Sequence, residues 1–177
     1  NGAYRPHDFQ AIEEVPPLAN FGDGIITQYT TSTHDKDGYL TTDPAVIQEM
    51  IDHYAAKIDA IADELALYRH DPQAGADTLV ISYGVTSRSA KVAVNEARQG
   101  GRKVSALTLQ TLYPVPEKVI RDAARSVERI VVPEMNMGQY RYEIERLAPA
   151  GAEIVAINKM DTTLISPGEI LDRGGLR

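Results

Sequence analysis

Glu134, Asn136 and Gln139 stand close together in Val132-Pro133-Glu134-Met135-Asn136-Met137-Gly138-Gln139. The segment follows a short apolar run, Ile130–Val132, and precedes a helical pattern, so an acid, two amides and a glycine meet at a strand-to-helix corner. In open α/β sheets such corners lie outside the carboxyl ends of the strands, where ligands and partners dock. A glycine there also lets another backbone approach closely. A well-capped βα turn explains the same residues without a ligand. Gly84, Thr86, Ser87 and Arg88 stand in the equivalent place after the run Thr78–Tyr83. They offer either an anion site at a helix amino terminus or simple helix capping. With Tyr113–Val115, all three corners share one edge of a parallel sheet, an interface or active-site rim on which Glu134 can also pair locally with Arg88.

Other chemistry is weaker. Phe21-Gly22-Asp23-Gly24 has the Gly-Asp-Gly opening of a thiamine diphosphate motif, but no Asn follows before Asn95, so the second metal ligand is missing and a turn is the better reading. His34-Asp35-Lys36-Asp37-Gly38 lacks the later oxygen ligands of a calcium loop, with Tyr39 and Val46 in their places. It reads as an Asp37-Gly38 turn. His7, His34, His53 and His70 have no metal-site spacing and are expected to be solvated or in local hydrogen bonds. Tyr83-Gly84-Val85-Thr86-Ser87 is not a Gly-x-Ser-x-Gly nucleophile elbow. No Walker loop or Gly-x-Gly-x-x-Gly occurs.

The elements that must position these residues follow from periodicity. Residues 1–43 read as an extended arm, punctuated by Pro6, Pro16, Pro17, Gly22 and Gly24, whose apolar patches need something to lie on. Asp43-Pro44 is a helix start. From there Ile47, Met50, Ile51, Tyr54, Ile58, Ile61, Leu65 and Tyr68 make one stripe, predicting an amphipathic helix of about 38 Å. A linker is expected at residues 70–75, closing a helix-and-linker segment 44–75. Over 76–177, strands Thr78–Tyr83, Val104–Leu109, Ile130–Val132 and Ile154–Ile157 alternate with helices Ser87–Gln99, Pro116–Val127, about Gly138 to Leu147, and a last one opened by Ser166-Pro167-Gly168-Glu169. The pattern predicts an α/β fold, a mostly parallel open sheet with helices on both faces.

Composition excludes several classes. The 177 residues carry 18 Lys and Arg against 25 Asp and Glu, a net charge of −7 with no basic cluster, so neither nucleic acid nor anionic membrane is an expected partner. With no cysteine, this chain cannot ligate a [4Fe–4S] cluster through thiolates or form disulfides. No signal-peptide or membrane-span pattern occurs, and a cytoplasmic location is the expectation. The chain opens at Asn1 rather than Met and is expected to be a fragment or a processed piece.

Several stretches match one pattern in order: Val15-Pro16-Pro17, Phe21-Gly22-Asp23-Gly24, Thr33-His34-Asp35 with Gly38, Ile81-Ser82-Tyr83-Gly84 with Ser89-Ala90, Pro114-x-Pro116, Val132-Pro133-Glu134-x-Asn136-x-Gly138-Gln139, and Ile165-x-Pro167. Taken together they resemble the carboxyl-terminal half of the alpha subunit of 2-oxoacid:ferredoxin oxidoreductases, most like the 2-oxoglutarate members. The resemblance implies a domain like the carboxyl-terminal domain of transketolase over 76–177. It implies an enzyme that decarboxylates a 2-oxoacid on thiamine diphosphate and leaves an acyl group on coenzyme A, with electrons passing through a [4Fe–4S] cluster to ferredoxin. Thiamine diphosphate, Mg2+ and the cluster would belong to a beta subunit, leaving this chain without a cofactor of its own and inactive alone. A stand-alone flavodoxin-like or nucleotide-binding module and a non-enzymatic scaffold subunit remain alternatives.

Overall fold

Four apolar, β-branched runs set the architecture, because each can be buried only inside a sheet covered on both faces. The computed structural model describes residues 4–177. In chain order the elements are α1 (Pro44–Ala60), α2 (Ala62–Leu65), β1 (Tyr68–Asp71), β2 (Thr78–Tyr83), α3 (Thr86–Gln99), β3 (Val104–Leu109), α4 (Glu117–Ala124), β4 (Arg129–Glu134), α5 (Arg141–Leu147), β5 (Glu153–Asn158) and α6 (Pro167–Arg173). Two units divide the chain, one ending at Ala62 and one running from Asp63 to Arg177.

In the second unit the strand order is β1-β3-β2-β4-β5. Strands β3, β2, β4 and β5 are parallel, with Thr78 opposite both Val104 and Arg129, and Arg129 opposite Glu153. This is the expected mostly parallel α/β sheet. Alternate residues feed two apolar layers: Leu79, Ile81, Leu107, Ile130 and Val132 pack with Ile120 of α4 and Ile144 of α5. Val80, Val104 and Val131 pack with Ala93 and Val94 of α3 and Ile170 of α6. The last helix carries the capping box read from its sequence: Glu169 N donates to Ser166 Oγ at 3.2 Å, and Ser166 N donates to Glu169 Oε2 at 2.7 Å.

Three elements differ from the sequence reading. The stripe that pointed to one helix as far as Tyr68 ends at Ala60, where Ile61 leaves helical geometry at φ −116°, ψ 16°. Tyr68–Asp71 then pairs antiparallel with β3, so His70 and Asp71 belong to an edge strand and not to a linker. Strand β4 extends to Glu134, and α5 starts only at Arg141.

In the first unit, Asp43 caps α1 as expected, its Oδ1 accepting from Ala45 N at 2.9 Å with Pro44 at the first turn. The Asp37-Gly38 turn also forms: Asp35 Oδ1 accepts from Asp37 N (2.9 Å) and Tyr39 N (3.0 Å), and Gly38 has φ +88°. Contrary to the expectation of a solvated histidine, His53 is buried at 8% exposure, its ring stacked on Phe9 with centroids 3.4 Å apart. Ile51 and Tyr54 of the stripe remain exposed. Among the described residues no helix is long and apolar enough to cross a membrane.

Candidate functional site

Because β2, β3, β4 and β5 run parallel, the loops that follow them emerge at one edge of the sheet. At its centre lies Glu134, the last residue of β4 and fully buried. A buried carboxylate is tolerated only when its oxygens are hydrogen-bonded. Three donors converge on this one: Tyr83 Oη at 2.8 Å and Tyr140 N at 3.0 Å on Oε2, and Arg141 N at 3.0 Å on Oε1. Glu134 thus ties the end of β2 to the first turn of α5. Burial, and then the bond to Glu134, pushes the Tyr83 phenol up to about 12.

Asn136 completes the corner. Its Nδ2 donates to Tyr83 Oη at 2.7 Å, while its Oδ1 accepts from Gly138 N at 2.7 Å and Gln139 N at 3.2 Å. Such side-chain bonding to following amides replaces a helical turn with an Asx-type turn, which is why α5 begins late. Gly138 has φ +93°, and a Cβ there would come within 3.2 Å of Asn158 Nδ2 and 3.6 Å of Arg141 Nε. Both of those nitrogens are buried without a hydrogen-bond partner, although Arg141 lies 3.3 Å from Glu145 as an ion pair. Tyr140, its phenol also pushed to about 12 by burial and then by the Glu143 charge, meets Tyr83 edge-on at 5.5 Å.

The sequence-selected residues therefore divide. Glu134 and Asn136 meet through the Tyr83 hydroxyl, and Glu134 is held further by the amides of Tyr140 and Arg141; none of these three was among the site candidates. Gln139 is exposed and contributes its backbone amide. Gly84 takes the turn after β2 at φ +57°. Thr86 is buried and Ser87 half-buried in the first turn of α3, which has no side-chain cap bond, so capping does not account for them. Arg88 is exposed and makes no ion pair with Glu134, whose oxygens are taken up by the three donors above. No hydrogen bond or ion pair among the described residues joins the Ser87–Arg88 turn to the Glu134 corner.

Around this internally bonded corner each loop shows an apolar side chain to solvent. Val85 follows β2, Tyr113 follows β3, Met137 follows β4 and Leu164 follows β5; Tyr113 and Met137 are both 76% exposed. A resident metal or diphosphate finds no fit at the Gly22-Asp23-Gly24 turn, where Asp23 Oδ2 is taken up by Asn20 N (2.9 Å) and Asn20 Nδ2 (3.3 Å).

Residues 76–170 match the family described as pyruvate:ferredoxin oxidoreductase core domain II. The chain is 30% identical over 166 residues to the 2-oxoglutarate synthase subunit KorA of Methanocaldococcus jannaschii, a match covering 94% of this chain and 44% of that subunit. To the subunit of the same name from Methanothermobacter marburgensis it is 36% identical over 154 residues, covering 86% and 41%. Among solved structures it resembles 2-oxoglutarate:ferredoxin oxidoreductase from Magnetococcus marinus, solved with 2-oxoglutarate, coenzyme A and succinyl-CoA bound. That likeness, a TM-score of 0.77 over 99% of this chain and 31% of the other at 20% identity, is one of fold. The chain spans less than half the length of the curated relatives it matches.

Proposed function

Since the chain belongs to the pyruvate:ferredoxin oxidoreductase core domain II family, we propose that it is the domain II portion of a 2-oxoacid:ferredoxin oxidoreductase acting on 2-oxoglutarate. In that reaction the 2-oxoacid loses carbon dioxide, its acyl group passes to the sulfur of coenzyme A, and the electrons released go to ferredoxin. Thiamine diphosphate supplies the carbanion chemistry when bound. It belongs, with Mg2+ and the [4Fe–4S] cluster, to a beta partner subunit. The absence of cysteine from this chain and the self-satisfied Asp23 turn support that division. Identity to 2-oxoglutarate synthase subunits over most of the chain supports the choice of substrate.

This portion's own task is architectural. Its carboxyl edge is the docking face for the rest of the enzyme, and the Glu134 corner holds that face rigid. One observation carries the reading: four exposed apolar side chains, Val85, Tyr113, Met137 and Leu164, surround a corner whose carboxylate is saturated from within. Asn158 Nδ2, buried without a hydrogen-bond partner, is the polar complement beside it. The test is a charge inserted at two tips, Tyr113→Glu with Met137→Glu, in the complete enzyme. Because both side chains are exposed, the subunit should fold normally but assemble weakly or turn over at least tenfold more slowly, about 1.4 kcal/mol. Assembly and turnover equal to the parent would remove this edge as the docking face.

A further inference from the structure

On the face of the sheet covered by α3 and α6, one part stays open. Strand β1 joins the sheet antiparallel and brings no crossover helix, so a groove is left between α3 and the β1–β3 edge. It is a cavity of about 480 Å³, within the range of about 300–1,000 Å³ usual for small-molecule sites. Its floor departs from the apolar pattern of the same face elsewhere. Register sets Arg69 opposite Thr108 and Thr108 opposite Ser82, a polar row across three adjacent strands. Ser82 is only 2% exposed and follows the apolar run Leu79–Ile81 of its strand. From the α3 side, Ser87, Arg88 and Lys91 line the same cavity. The Ser87 hydroxyl is buried and has no hydrogen-bond partner.

The charges point one way. Arg69, Arg88 and Lys91 make no ion pair among the described residues, whereas the cavity's one acid, Asp71, is held by Arg98 Nη1 at 2.8 Å. Three unpaired cations and three hydroxyls thus line one concave site in a chain whose net charge is −7. Side chains of like charge gathered in a cleft raise the local concentration of the opposite ion, and Arg and Ser are donors suited to phosphate or carboxylate oxygens. We propose that this groove binds a small organic dianion, a phosphate ester or a dicarboxylate, with Arg69, Arg88 and Lys91 as the charged contacts and Ser87 as a hydroxyl donor. Ser87 and Arg88 of the groove adjoin Val85 at the carboxyl edge, but the anion site does not depend on the proposed docking role.

The probes are inorganic phosphate and succinate, each titrated into the 177-residue chain at constant ionic strength with chloride as the balancing ion, and followed by NMR at the amides of Arg69, Ser87, Arg88 and Lys91. The expected result is a saturable shift at these positions with at least one dianion; which of the two binds distinguishes a phosphate site from a dicarboxylate site. Lys91→Glu, at an exposed position of α3, should weaken binding at least tenfold; if it does not fold, Arg69→Gln on the exposed edge strand gives the same readout. No saturation with either anion, shifts that chloride reproduces, or binding unchanged in the folded variant would overturn the proposal. So would saturation only by an acidic polypeptide, which would make the groove a protein contact.

Discussion

Glu134 shows how a single side chain can hold a corner without doing chemistry there. Its carboxylate is shared among one phenol and two backbone amides, and hydrogen bonds to a charged group contribute about 1.5–3 kcal/mol each. Glu134→Gln turns one acceptor oxygen into a donor facing another donor, so urea unfolding should show a loss of about 1.5–3 kcal/mol. Unchanged stability would mean that the carboxylate does not hold the corner. Gly138→Ala should cost about 1–3 kcal/mol, from φ +93° and the close approach to Asn158 Nδ2. A Tyr83 phenol raised to about 12 in the folded protein, against about 10 when unfolded, is favoured as the protonated form. Its contribution to stability is complete below pH 10 and disappears as pH rises towards 12. Alkaline unfolding should therefore flatten over that window in Tyr83→Phe, and a parent-like slope would contradict the assignment. The sequence revealed the acid and the amide but not their partners. Tyr83 looks like any strand aromatic, and the contact joins residues 51 apart in the chain, which no local pattern encodes.

At the scale of elements, legibility followed burial. Strands β2 and β3 are legible to the residue because their runs are largely apolar and bounded by turn residues; β4 looks shorter than it is because Pro133 and Glu134 resemble a loop, although they continue the ladder opposite Ile157 and Asn158. Strand β1 escaped because all four of its residues are exposed and polar or amphipathic, and Tyr68 continues the helical stripe. The arm's contact with α1 escaped for a different reason: Phe9 stacking on His53 is a pairing over a long separation that hides a polar residue. The His53 imidazole lies below its ordinary value, chiefly through burial and then through the Lys57 and Lys36 charges, and His7 likewise through burial and the neighbouring His34. For a histidine favoured as the neutral form, stability is complete above about pH 6.5 and falls as pH drops below it. NMR titration of the His53 ring should show a midpoint below that value, and Phe9→Ala should bring it back up. A midpoint already at the ordinary value in the parent would contradict the stack. In the last helix, Ser166→Ala should cost about 1 kcal/mol by removing the bond to Glu169 N.

At the scale of the whole molecule, the family could be read from ordered motifs, while the division of labour within the enzyme could be argued only from what the chain lacks and what its edge displays. Isolated, the chain should purify without stoichiometric iron or thiamine diphosphate, as metal and thiochrome assays will check. The proposed enzyme needs the partner that carries them. The most direct test uses the complete enzyme containing this chain, under anaerobic conditions, with coenzyme A, ferredoxin and a panel of 2-oxoacids. The expected result is ferredoxin reduction that requires both 2-oxoglutarate and coenzyme A, with succinyl-CoA formed in step and slower turnover of pyruvate and branched 2-oxoacids. Absence of ferredoxin reduction with every 2-oxoacid, in an enzyme shown to be loaded with thiamine diphosphate and cluster, would contradict the account.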